Sequence, residues 1–200
     1  QTWMIMEQGL APKICNLRLT AIRAFLEYAA QEYLWIMPVY TDACTIVGVK
    51  TTNHAIEYFE PNEMTALLAA PSGNNKTDRR NHMILIFLYD TAARVDEARQ
   101  VKVSDLHLDA EVPYVTLLGK GRKYRNIPLM DKTILHLKRF LKDFHGSELK
   151  TDMPLFYSKI HGQVHELSSD TFEKMIKRYA AQCRAGGYSM PDNVHCHMIR

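Results

Sequence analysis

The chain has 200 residues, 46% of them hydrophobic, and a formal net charge of only +3. That suits one ordinary domain, or one domain with part of another, and it excludes a sticky polycation that coats nucleic acid by charge alone. The longest apolar run, residues 83–89, is far too short to span a bilayer, so no membrane partner is expected. No basic-then-apolar leader opens the chain, which begins at Gln1 as an internal piece would. The cysteines (Cys15, Cys44, Cys183, Cys196) are scattered without a CxxC pair, so reduced thiols in a cytoplasmic protein are expected.

In chain order, residues 14–30 place Ile14, Leu17, Ala21, Phe25 and Tyr28 at spacings of three and four, which predicts an amphipathic helix with that stripe inward. Residues 38–53 lose the helical period and read as a linker. Pro61 opens a helix through Ala70, and Pro71-Ser72-Gly73-Asn74-Asn75 breaks it. Residues 83–89 are apolar on every face and predict a buried helix. Residues 112–118 are rich in β-branched and aromatic side chains, and 126–129 carry Ile127 before Pro128. With Gly119 and Gly121 between them they predict a short antiparallel hairpin with a basic turn. Helices resume with Ile134, Leu137, Leu141 and Phe144 on one stripe. Another, capped by Asp170 with Glu173, carries Phe172, Met175, Ile176 and Tyr179. The expected class is mainly α with a small antiparallel sheet (α+β), divided into residues 1–52 and 53–200.

Charge is concentrated along this plan. Residues 1–56 carry four Lys/Arg and four Asp/Glu, whereas residues 118–142 carry eight Lys/Arg against the single Asp131. Lys120 lies between two glycines, where the backbone can approach a ligand closely. Arg122, Lys123 and Arg125 follow as candidate contacts to neighbouring phosphates. A solvated, solubilising hairpin tip is the plain alternative. Arg94 follows the buried helix, with Glu97 three residues on. Taken alone, that pair is an ordinary i,i+3 surface contact. His195-Cys196-His197 invites a metal reading, but adjacent side chains point apart and no second pair lies at zinc-finger spacing. His197 and Arg200 share one face of a helical turn. With Arg94 and Lys120 they form a cationic set suited to a phosphate.

Together these segments resemble a known family. Thr91-Ala92-Ala93-Arg94-Val95-Asp96-Glu97 is similar to the T-G-x-R-x-x-E box of the tyrosine recombinases, the phage-integrase-like enzymes. The run from Leu118 through Lys120 and Arg125 to Leu129 resembles their G-K-G-x-K-x-R-x-x-P-L hairpin. His197-Met198-Ile199-Arg200 resembles the start of their H-x-L-R-H box, and the three stand in the family's order. Arg18-Leu19-Thr20-Ala21-Ile22-Arg23-Ala24-Phe25 is similar to an element near the end of the family's helical, SAM-like core-binding domain.

The resemblance implies that Arg94 and Arg200 clamp the scissile phosphate. Lys120 serves as general acid, His197 donates to the phosphate or manages protons, and Glu97 supports them. It implies contact with double-stranded DNA through Arg122, Lys123, Arg125, Arg18 and Arg23. It also implies no metal and no cofactor, and a homotetramer on DNA for the full-length parent, the fragment itself being a monomer. The source expected is a bacterial mobile element. Ala92 stands where the family has glycine. The family's nucleophilic tyrosine follows Arg200 by some thirty residues, and the 200 residues do not reach it. The expectation is therefore a fragment, truncated before its nucleophile, that binds DNA without cutting it. The alternatives are a natural binding module without a nucleophile and a helical protein–protein domain.

Overall fold

The computed structural model describes residues 2–51, 57–72, 74–146 and 151–199. The chain divides into two compact units, Gln1–Ile56 and Glu57–Arg200.

The first unit is helical. A short α1 (Thr2–Met6) leads into α2 (Pro12–Glu32), whose opening proline sits in the first turn, where its missing N–H costs nothing. A 3-10 turn (Leu34–Ile36) passes into α3 (Met37–Thr45), which packs on α2. Two expectations are overturned here. Residues 37–45 are helix and not linker, because Pro38 also falls in a first turn and does not interrupt the ladder. The stripe of Ile14, Leu17, Phe25 and Tyr28 faces solvent, with Leu17 and Phe25 about two-thirds exposed (66% and 67%), while Cys15, Leu19, Ala29 and Ala30 are buried. Small residues on the inner face, joined by Ala43 of α3, let the two helices approach closely. That contact, and not apolar periodicity, chooses which face is buried.

The second unit carries the main core. It begins with α4 (Pro61–Ala69), where Glu63 Oε2 accepts from the Glu60 N–H, 2.8 Å. Next comes α5 (Lys76–Thr91), capped by Asn75, whose Oδ1 accepts from the Asp78 N–H, 2.8 Å. Met83, Ile84, Leu85, Phe87 and Leu88 are all buried, so α5 is the central helix. It ends at Ala92 in the left-handed conformation (φ 47°), and α6 (Val95–Gln100) follows at once.

A three-stranded antiparallel sheet comes next: β1 (Leu106–His107), β2 (Tyr114–Leu118) and β3 (Tyr124–Pro128), in that order. The β2–β3 register pairs Leu117 with Arg125 and Leu118 with Tyr124. Strand β3 thus starts two residues before the expected Asn126, so Arg125 belongs to the strand. Helix α7 (Asp131–Phe140) continues into a π-turn (Leu141–His145), which stacks Phe144 on Phe140 (4.8 Å between centroids) and against Tyr157 (4.7 Å). A second hairpin, β4 (Tyr157–Ile160) and β5 (Gln163–Glu166), precedes α8 (Ser169–Ala185). The α8 cap is Ser168, which accepts from the Thr171 N–H, and not the expected Asp170. A 3-10 turn (Cys196–Ile199) packs against α5 and α8. The architecture is α+β, as the residue patterns imply.

Candidate functional site

The site is organised around Glu97, on the first turn of α6. Its side chain is 4% exposed and accepts four hydrogen bonds. The Arg94 N–H donates to Oε2 (2.7 Å) and Arg94 Nη1 to Oε1 (3.0 Å). Arg125, from β3, donates Nη1 to Oε1 and Nη2 to Oε2, each at 2.7 Å. This is the planar two-pronged match of guanidinium to carboxylate. The Arg125 bonds come first among the causes that hold the Glu97 carboxyl down at about 2, with the Arg94 backbone and side chain adding to them against burial. The same contact raises the Arg125 guanidinium.

Arg94 heads α6 with extended backbone, and its side chain is 48% exposed. One nitrogen rests on Glu97, so the half-exposed side chain is held without being buried. Ala92 explains how it reaches this place. The chain must turn sharply out of α5 within three residues, and φ 47° at Ala92 makes that turn. Glycine enters this region freely and alanine does not, which gives a physical reason for glycine at this point of the family box.

Lys120, Arg122 and Lys123 are exposed at the tip of the β2–β3 hairpin. The tip closes with the Gly119 N–H donating to the Lys123 carbonyl (2.8 Å) and turns through Gly121 (φ 75°) and Arg122 (φ 57°). Gly119 has a purpose the sequence does not reveal. A Cβ there would lie 3.2 Å from Arg125 Nη1 and 3.4 Å from Glu97 Oε1. The glycine gives room to the Arg125–Glu97 pair.

Helix α8 brings the third box alongside. Ser169 and Glu173 lie one turn apart on the same face. Ser169 Oγ donates to Asp96 Oδ1 of α6 (3.1 Å), and Glu173 Oε2 accepts from the Cys196 N–H (3.2 Å). The start of α6 and the turn bearing His197 are therefore held on neighbouring rungs of one helix. His197 is exposed beside His195, ring centroids 6.1 Å apart, whereas Cys196 points inward. Burial, then the Glu173 carboxylate, pushes the Cys196 thiol up to about 12, so it is neither a thiolate nucleophile nor a ready metal ligand. Among the described residues, no group of three or more His, Cys, Asp or Glu side chains is arranged to hold a metal ion. Arg200 lies outside the described residues.

Two expected DNA contacts are placed differently. Arg125 turns inward onto Glu97, because strand pairing sets its side chain on the α6 side of the sheet. Arg23 donates from Nε to the Ala43 carbonyl (2.9 Å) and from Nη2 to the Cys44 and Ile46 carbonyls, so it closes the open end of α3. Arg18 is exposed. Tyr179 is 2% exposed, and its hydroxyl donates to Asp78 (3.0 Å) while accepting from Asn81 (3.1 Å) and Arg178 (2.7 Å). It is a core tyrosine with no free valence for chemistry. Sequence reasoning missed Asp96, Ser169 and Glu173 as organisers. Their partners lie 73 and 23 residues away, beyond the reach of any local spacing.

The fold is the tyrosine-recombinase type of α+β domain. The model of the phage integrase family matches residues 57–200, and the chain belongs to that family. Among curated relatives it is 31% identical to the tyrosine recombinase XerD of Halalkalibacterium halodurans over 180 residues, covering 88% of this chain and 57% of that protein. It is 32% identical to the putative integrase/recombinase y4rC of Sinorhizobium fredii over 136 residues, covering 68% and 41%. The chain thus spans about half the length of the curated relatives it matches. In fold it is similar to the Tn1549 transposon integrase in complex with a circular intermediate DNA (TM-score 0.71, 15% identity, 98% of this chain and 66% of that one). It also resembles the XerA recombinase (TM-score 0.56, 20% identity, 99% and 62%).

Proposed function

We propose that these residues form the phosphate-gripping part of a site-specific DNA recombinase, one that cuts and rejoins strands through a 3′-phosphotyrosine intermediate. The observation that carries the reading is the meeting of two boxes on one carboxylate. Arg94 and the hairpin that bears Lys120 are joined at Glu97, across a separation of 28 residues in the chain. In this reading Arg94, with Arg200, neutralises the non-bridging oxygens of the scissile phosphate as charge builds in the pentacoordinate transition state. Lys120 protonates the leaving 5′ oxygen and His197 donates to the phosphate. Arg122 and Lys123 contact the flanking backbone of double-stranded DNA.

Within these 200 residues no tyrosine follows the His/Arg box. By themselves they are therefore proposed to bind duplex DNA without cutting it, and the nucleophile is supplied from outside them. The likeness to a transposon integrase supports a mobile-element recombinase, proposed to act in the cytoplasm as a tetramer on DNA. The test is covalent trapping on a nicked suicide duplex with the recombinase that carries the nucleophile. Arg94→Ala and Arg200→Ala should each lower covalent product at least a hundredfold, in keeping with loss of one electrostatic donor, while duplex binding persists. Normal product from both variants rejects the assignment.

A further inference from the structure

We propose that Arg125 is a positioning residue that registers the Lys120 hairpin against Arg94, through Glu97, and that Gly119 is the gap that admits this latch. The inference rests on the functional reading above. Three observations carry it. First, both prongs of the Arg125 guanidinium are engaged at 2.7 Å on a carboxylate that is 4% exposed, so its charge is matched within the protein. Second, the same two oxygens take the backbone and side chain of Arg94. Any rotation of the Glu97 carboxyl therefore moves both arginines together. Third, Gly119 precedes Lys120 and closes the turn onto Lys123, yet its missing side chain faces the pair, 3.2 Å from Arg125 Nη1. The hairpin tip, its strand and the arginine of α6 are thus one mechanical assembly with a single buried anion at its hub.

A latch and a direct DNA contact make opposite demands on Arg125. As a contact it would be interchangeable with Arg122 or Lys123. As a latch it requires the fork: lysine at this position has one ammonium and cannot span both carboxylate oxygens in a plane.

Hydrogen exchange on this chain tests the latch without DNA. Arg125→Ala should speed exchange at the Arg94 amide by roughly tenfold or more, as local opening of the box becomes easier. Arg125→Lys should fail to restore protection. Unchanged protection at Arg94 overturns the proposal. Salt titration of duplex binding tests it independently. The slope of log K against log salt should fall by about 0.9 for Lys123→Ala and stay constant for Arg125→Ala; a fall of that size in Arg125→Ala makes it a phosphate contact and overturns the latch.

A third readout concerns the reaction itself, in the recombinase that carries the nucleophile. If Arg125 acts in part through Lys120, a substrate with sulfur as the bridging 5′ atom, whose leaving group needs no protonation, should restore the part of the cleavage rate that Arg125→Ala loses through Lys120 and leave the part lost through Arg94. A defect equally deep with oxygen and sulfur excludes action through Lys120 and overturns the proposal. If the unsubstituted recombinase cleaves neither substrate, the functional reading fails, and the exchange experiment still decides on the latch.

Discussion

At Ala92 a β-carbon occupies backbone space that glycine enters freely, and the rest of the site inherits the geometry of that turn. Left-handed backbone costs an L-residue roughly 1 kcal/mol more than it costs glycine. Ala92→Gly should therefore stabilise the second unit by up to about 1 kcal/mol, read as a higher midpoint in urea denaturation, since only a half-buried methyl is lost. A lower midpoint would mean that the extra entropy of glycine in the unfolded chain outweighs the strain. Glu97 makes a prediction of the opposite sense. Its carboxyl is held at about 2, against an ordinary 4.5, by hydrogen bonds from Arg125 and Arg94. A depressed carboxyl stabilises the fold fully above its unfolded value, and the benefit fades as pH falls through the folded value. Stability should decline between about pH 4.5 and 2, by roughly 3 kcal/mol from this group. Glu97→Gln should flatten that limb while lowering stability at neutral pH, as unfolding curves across pH will show. Tyr179→Phe removes a hydroxyl that three side chains share, and should cost about 1–3 kcal/mol with no effect on DNA binding.

Legibility in the sequence varies by element, for physical reasons. Helices α4, α5 and α8 are readable because apolar positions recur at helical spacing and prolines or polar caps mark their starts. The β2–β3 hairpin is readable because β-branched residues flank two glycines. The β4–β5 hairpin is hard to see because its strands are short and mostly exposed, so no apolar alternation marks them. Its signal is the turn itself: His161 (φ 50°) and Gly162 (φ 80°) both adopt left-handed backbone, as a two-residue hairpin loop demands. Helix α3 is hidden by Pro38, which looks like a breaker although first-turn proline is harmless. On α2 the larger side chains suggest one buried face, while the helix contact is made by alanines on another. At the site, Arg94, Glu97 and Lys120 are visible as box residues. The destination of Arg125 is not, because strand register decides on which side of the sheet an arginine emerges. Arg23 gives an element-scale test. Arg23→Ala removes the donor to three carbonyls at the end of α3 and should lower helicity of the first unit, seen as loss of far-ultraviolet ellipticity at 222 nm, roughly one helical turn's worth.

For the whole molecule, the net charge of +3 is small, so the proposed affinity for DNA rests on where the cations stand. On the proposed reading the phosphate contacts are Arg94, Lys120, Arg122, Lys123 and Arg200, which gives a slope of log K against log salt of about −4 to −5. Replacing Lys120, Arg122 and Lys123 together by alanine should remove about three-fifths of it. An unchanged slope would move the DNA interface elsewhere. The π-turn at Leu141–His145 has a different consequence, one about tolerance to change. Such a turn is an α-helix that holds one residue too many. Deleting a residue there should leave an unbroken α-helix, yet everything after the deletion would rotate by about 100° about the axis. The ring of Phe144 would swing off Phe140 and Tyr157, and the chain would trade a regular helix for a broken aromatic stack. The surplus residue is thus pinned by the aromatic packing it makes possible, and the helix cannot lose it without losing that stack.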